Sequence, residues 1–314
     1  MKQENKIKEK GERIAKFLAR SGVASRRESE KLISYGRIKL NGKILSTPAV
    51  KVTSKDVVLF DNQPVAPKQP LRLWRYHKPD GLITTHKDER NRSTVFDELP
   101  KELGRVISIG RLDLTSEGLL LLTNDGELAR ALELPSTGWQ RKYRVRAYGK
   151  VNQHDLDKLQ KGITIDGIKT GPIIAILERQ KGDNVWISVT LREGKNREIR
   201  RALDTLGLRV NRLIRISYGP FQLGNLDKGT VEEVKLRILK EQVGHLIEIP
   251  DVKNVVENKI SSNKKLPLNK GLHKPPLGNF KFNKRHHANR GKLSERSENK
   301  SHSRVNTNNN RKKS

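Results

Sequence analysis

The stretch "GRLDLTSEGLLLLTNDG" (110–126) constrains this chain more than any other. "VISI" (106–109) precedes it and "LLLLT" (119–123) lies within it. Both read as short buried strands, bounded by Gly110 and by the Asn-Asp-Gly turn signal. One carboxylate, Asp113, is thereby placed on a tight polar bend between two apolar segments, with Arg111 two residues before it. An acid anchored from both sides cannot easily leave its position. Asp in a bend more commonly caps or turns the chain, so spacing alone leaves the role of Asp113 open.

The partner class follows from charge. The 314 residues hold 65 Lys and Arg against 35 Asp and Glu, a formal net charge of +30. Such an excess bears on partners rather than on fold. Nucleic acid comes first, because neutralising phosphates releases counterions. An anionic membrane surface is the alternative, weakened by the lack of a long apolar run. The first residues, "MKQENKIKEK", lack the hydrophobic segment of a signal peptide. Cysteine is absent, which rules out disulfides and thiolate zinc sites and fits a reducing cytoplasm. The histidines have no metal-site spacing. Among the acidic residues, Asp88, Glu89, Asp97 and Glu98 read as a solubilising loop rather than a magnesium site.

The chain divides by composition. Residues 1–11 are charged and aperiodic, a loose arm. Residues 12–62 form a compact unit. In it "ERIAKFLAR" places Ile14, Phe17 and Leu18 on one helical face, and Ser25 with Glu28 makes a capping box that starts a second helix. "RIKLNGKIL" then alternates about an Asn41-Gly42 hairpin turn. A linker with three prolines, "QPVAPKQP" (63–70), follows. Residues 71–249 carry most of the remaining apolar material, with strands at "RKYRVRAYG" (141–149) and "NVWISVTL" (184–191) and helices at 152–162 and 196–207. No regular βαβ repeat appears, so the fold class is α+β with a mainly antiparallel sheet. The tail, 250–314, is basic and Asn-rich with few large apolar residues. It cannot offset the entropy of ordering a core and is expected to be disordered.

Two resemblances give these features functional content. "FLARSGVASRRESEKLISYGRIKLNG" (17–42), with the later "KVTSKDVV", resembles the RNA-binding domain first seen in ribosomal protein S-four. It implies RNA contacts from the basic residues there: Arg13, Lys16, Arg20, Arg26, Arg27, Lys31, Arg37, Lys39 and Lys43. "GRLDLTSEGLLLLTNDG" resembles the signature of bacterial pseudouridine synthases of the RsuA/RluB ribosomal-RNA family. "YHKPDGLITT" (76–85) and "RLIRISYGP" (212–220) extend the match across residues 12–245. The resemblance implies that Asp113 is the catalytic carboxylate. It also implies that Tyr143 packs against an everted uracil and that Arg200 pairs with Asp113. Without the resemblance, Tyr143 reads as strand packing, and Arg200 as an exposed helix charge bridged to Asp204. Arg197 and Arg201 stay open as alternative partners of Asp113. Arg111 is expected to contact phosphate or fill the gap left by the base.

The expected activity is isomerisation of one uridine of ribosomal RNA, without metal or cofactor, by a cytoplasmic monomer. "GKNREIRR" (194–201) is most like the large-subunit, RluB-type members. A small-subunit synthase and a non-catalytic ribosome-assembly factor are the rival readings. A methyltransferase is disfavoured, because no Gly-rich loop follows a strand and opens a helix. With about six to ten phosphate contacts, RNA affinity should fall ~10³–10⁵-fold between roughly 50 and 200 mM salt. A titration that stays flat over that range would remove the electrostatic account.

Overall fold

A computed structural model describes residues 11–66, 69–165 and 167–249. The expected N-terminal arm (but for Gly11), Pro67 and Lys68 of the linker, and the basic tail from 250 onward lie outside the described residues. The N-terminal unit runs β1 (Glu12–Arg13), α1 (Ile14–Arg20), α2 (Arg26–Ser34), β2 (Ile38–Leu40), β3 (Lys43–Ile44), β4 (Lys51–Val52), β5 (Val58–Phe60) and β6 (Gln63–Pro64). Ser25 and Glu28 close the capping box in both directions at the start of α2. Ile14, Leu18, Ile33, Ile38, Leu45, Val52 and Val58 form its core.

Two local expectations shift. Glu12 and Arg13 are a strand paired with β4 rather than the first turn of α1, since the Ile14 amide bonds the Val50 carbonyl at 2.9 Å. Gln63–Pro64, placed in the linker by its proline, pairs with β5 instead. Asp61 and Asn62 both adopt positive φ (48° and 66°) and turn the chain back as a hairpin.

The second unit runs β7 (Leu73–Lys78), β8 (Ile107–Ile109), β9 (Glu117–Thr123), α3 (Gly126–Glu133), β10 (Arg141–Tyr148), α4 (Gln153–Asp157), β11 (Thr164–Ile165), β12 (Ile168–Lys169), β13 (Ile174–Lys181), β14 (Asn184–Leu191), α5 (Glu198–Asp204), β15 (Arg209–Tyr218), β16 (Phe221–Gln222), β17 (Val231–Glu233) and α6 (Leu236–Val243). Its main sheet has the order β13-β14-β10-β15-β9-β7-β17, with β16 on β15 and β8 on β9. Every pairing in it is antiparallel except β15 with β9. The Asn-Asp-Gly signal proves to be a helix start: Asp125 accepts from the amides of Glu127 and Leu128 and caps α3.

β9 explains the apolar run in the signature. Leu119 and Leu121 face the cluster that contains Leu128 and Leu132 of α3 and Leu239 and Val243 of α6. Leu120 and Leu122 face the opposite cluster, with Trp74, Tyr76 and Val145. A strand covered on both faces needs apolar residues at successive positions. Gly118 makes the parallel junction possible. It sits at φ +106°, and a Cβ there would lie 2.3 Å from the carbonyl oxygen of Arg215. Gly118→Ala should therefore cost about 2–4 kcal/mol, from the backbone clash and the left-handed φ together. Urea denaturation of the two proteins measures it.

Candidate active site

Asp113 lies on the loop between β8 and β9, and backbone hydrogen bonds fix that loop along most of its length. The Gly110 amide donates to Glu133 Oε1 at 2.6 Å. Thr84 Oγ1 both donates to the Leu112 carbonyl (2.9 Å) and accepts from the Leu112 amide (3.3 Å). The Gly81 amide takes the Leu114 carbonyl at 2.8 Å, and the Ser116 amide takes the Asp113 carbonyl at 3.0 Å. Arg200 Nη2 donates to the Thr115 carbonyl at 2.8 Å, and Lys78 Nζ to the Ser116 carbonyl at 2.8 Å. The Asp113 side chain itself is half-buried and faces an open cleft of about 710 Å³.

Tyr143, from β10, lies in the same cleft lining, as do Arg111, Leu213 and Arg215. It shares a buried face with Val145 and Ala147, as the alternation in its strand requires. Arg111 is exposed at the cleft.

Arg200 differs from expectation. Its Nη1 donates to the Val210 carbonyl (2.9 Å) and its Nη2 to Thr115, so its donors hold backbone rather than the Asp113 carboxylate or Asp204. Among the described residues no ion pair joins it to Asp113. The two still interact through space. Burial lowers the Arg200 pKa, the neighbouring Arg197 lowers it further, and the charge of Asp113 opposes both. Arg201 points elsewhere and bonds the Ile165 carbonyl, while Arg197 lines the cleft.

Several residues of the site were not singled out in the sequence. Lys78 is fully buried. Burial brings its ammonium down to about 8, against the opposing charges of Asp80, Asp113 and Glu117. Beside it, Glu117 takes Arg212 and Lys228 as ion partners. Burial pushes the Glu117 carboxyl up, but the two cations prevail and hold it at about 2. Glu198, at the start of α5, is buried and its pKa is raised, first by burial and then by the facing Glu193 carboxyl. Nothing in "RLIRISYGP" signals Arg215, because Ile214 and Ile216 alternate with it and place it on the polar face, whereas the structure buries Leu213, Arg215 and Ser217 more deeply.

The cations of the N-terminal unit fall into two groups. Arg13, Arg26, Arg27, Lys31, Arg37 and Lys43 are exposed; Lys16, Arg20 and Lys39 are half-buried. Arg37 pairs with Asp61, Arg20 with Glu12, and Lys16 with Glu127 of α3. Lys16, Arg20 and Arg26 also line a second cleft of about 650 Å³, whose other wall carries Arg105 and Arg130. The two clefts share Ser108 and Glu133. Of the acidic loop, Asp88 is held by Arg92 and Asp97 caps the Thr94 amide.

Comparison with known proteins decides the family. The RNA pseudouridylate synthase family matches residues 72–205, and the S4 domain matches residues 12–58. An uncharacterized RNA pseudouridine synthase of Rickettsia prowazekii is 48% identical over 231 residues, spanning 74% of this chain and 97% of the relative. The chain belongs to the RNA pseudouridine synthases. The ribosomal large subunit pseudouridine synthase B of Haemophilus influenzae is 40% identical over 264 residues, 82% of this chain and 72% of that protein. A crystal structure of a pseudouridylate synthase superposes with a TM-score of 0.52 at 26% identity, covering 74% of this chain and 99% of that one. The protein is thus an RNA-modifying isomerase with an S4 RNA-binding domain ahead of its synthase domain.

The Glu117 cluster makes a prediction about acid stability. A carboxyl held at about 2 when folded, against an ordinary value of 4.5, contributes stability that is complete above pH 4.5. That contribution is lost as pH falls towards 2. Glu117→Gln should be less stable at neutral pH and show a shallower decline across this window, read from urea midpoints at several pH values.

Proposed function

We propose that this protein converts one uridine of large-subunit ribosomal RNA to pseudouridine, with Asp113 as the catalytic carboxylate. The carrying observation is the loop at 110–116: its backbone is tied down by Thr84, Gly81, Arg200 and Lys78, while the Asp113 side chain faces a cleft shared with Tyr143. The large-subunit target is supported by relatives named ribosomal large subunit pseudouridine synthase B in Haemophilus influenzae and Yersinia pestis, 40% and 36% identical.

The reaction needs a base out of its stack, at a few kcal/mol of unstacking. Tyr143 offers a face for it, and stacking of a base on an aromatic ring is worth about 1–3 kcal/mol. The Asp113 side chain then attacks C1′ of the ribose as a nucleophile, or takes a proton as general base on a glycal route. Both routes use the same oxygens in the same place. Arg200 acts as a positioning residue: it ties α5 and β15 to the loop and adds positive charge near Asp113. The N-terminal unit, residues 12–62, and the contiguous second cleft supply cations for the RNA backbone, whose contacts orient without reading sequence. A monomer acting in the cytoplasm fits this role.

Mapping pseudouridine across ribosomal RNA from cells with and without the gene tests the reading. One large-subunit site should vanish on deletion, return with the wild-type gene, and stay absent with Asp113→Asn. Restoration by Asp113→Asn would reduce the protein to a binding factor. Loss of a small-subunit site instead would move the target.

A further inference from the structure

Arg215 occupies a position where the pattern of its strand calls for an uncharged residue. It alternates with Leu213 and Ser217 on the inward side of β15, and it is only 2% exposed. In the sheet it stands directly opposite Tyr143 on one side and Gly118 on the other. Its Nε donates to the Leu119 carbonyl at 2.7 Å, and its guanidinium carbon lies 5.2 Å from the centre of the Tyr218 ring. Nη2 has no hydrogen-bond acceptor among the described residues. No carboxylate among the described residues forms an ion pair with this arginine. Its neighbour Glu117 is already taken by Arg212 and Lys228.

A buried, incompletely paired guanidinium is costly. Here the cost is increased by Lys78, a second buried cation within electrostatic reach. Arg215 lines the cleft that holds Asp113, and Lys78 reaches it through the carbonyl of Ser116, another lining residue. Buried positive charge without a direct ion pair among the described residues, beside a base-packing tyrosine, suits a site where negative charge appears only during reaction.

We propose that Arg215 is a further catalytic residue: it donates a hydrogen bond to a carbonyl oxygen of the everted uracil and stabilises the charge the base takes up on leaving. This rests on the reading of the Asp113 cleft given above. When the C1′–N1 bond breaks, its electron pair goes to the base and spreads over N1, O2 and O4. After the base turns, C5 bonds to C1′ as the Asp113–C1′ bond breaks or, on the glycal route, as C2′ regains its proton; C5 then loses its proton and N1 gains one, so composition is unchanged and no oxidant or reductant enters. Arg215 is suited to this role because it is rigid and shielded, where a charge acts more strongly than the exposed Arg111 can in water.

A double-mutant cycle between protein and base tests it. Wild-type protein and Arg215→Lys, both full-length, are compared in single-turnover reactions. The substrates are a ribosomal RNA fragment with the mapped uridine and the same fragment with 2-thiouridine or 4-thiouridine there. Sulfur accepts hydrogen bonds poorly. Arg215→Lys should slow conversion of uridine by about 10²–10³-fold, the usual loss for one such donor, with RNA affinity within about twofold. The wild type should slow on one of the two thio substrates, and the variant should show no further loss on that one. Because each ratio is taken on one preparation, partial unfolding of the variant cancels. Equal thio effects in both proteins at both positions overturn the proposal. If the variant does not fold, the wild type still decides, since unchanged rates on both thio substrates also overturn it. Failure of the wild type to convert the unmodified fragment would instead count against the function proposed above.

Discussion

Two cations hold the carbonyls at the end of the 110–116 loop. Lys78 and Arg200 lie far apart in sequence, one closing β7 and one inside α5, and they meet at adjacent carbonyls, Ser116 and Thr115. A carbonyl bound by a charged donor is held more strongly than one bound by a neutral donor. The arrangement leaves the Asp113 carboxylate out of any direct ion pair among the described residues. The loop is therefore rigid without its carboxylate being neutralised. This separates two tasks that a direct Asp–Arg pair would combine.

The sheet beneath that loop serves the same end. β9 carries the loop at its start, is buried on both faces, and meets β15 in the one parallel pairing of the main sheet. Gly118 permits the close approach. Through it, the residues after the bend are locked against Arg215, and Arg215 is set opposite Tyr143 on the next strand. Loop, Tyr143 and buried guanidinium are thus placed by a single run of adjacent strands.

The N-terminal unit contributes charge more than stability to this arrangement. Its link to α3 through Lys16 and Glu127 is a partly exposed ion pair, and such pairs are worth about 0–1 kcal/mol. Some of its cations are engaged internally, Arg20 by Glu12 and Arg37 by Asp61. Arg26 is exposed and lines the second cleft, whose far wall holds Arg105 and Arg130. A positively charged groove reaching from one domain to the other suits the backbone of a folded RNA.

Local patterns were legible in the chain itself. The capping box of α2, the Asn41-Gly42 hairpin, the inward faces of β10 and β14, and the bend carrying Asp113 each follow from a few neighbouring residues and the backbone geometry they allow. Punctuation was harder to read, because Asp125 and the Asp61-Asn62 pair suit a turn, a helix cap or a hairpin equally well by local chemistry. The partners of the loop carbonyls were not legible. Lys78, Arg200 and Thr84 are far from residues 112–116 in sequence, and the donor each supplies to a carbonyl there leaves no trace in spacing. Arg215 looks ordinary in the sequence, a polar residue alternating with Ile214 and Ile216; its significance depends on what lies opposite and on which acceptors are missing. Sequence determines where a strand or bend can form, since those energies are local; only the tertiary structure decides which charges meet, since that depends on contacts between segments well separated along the chain.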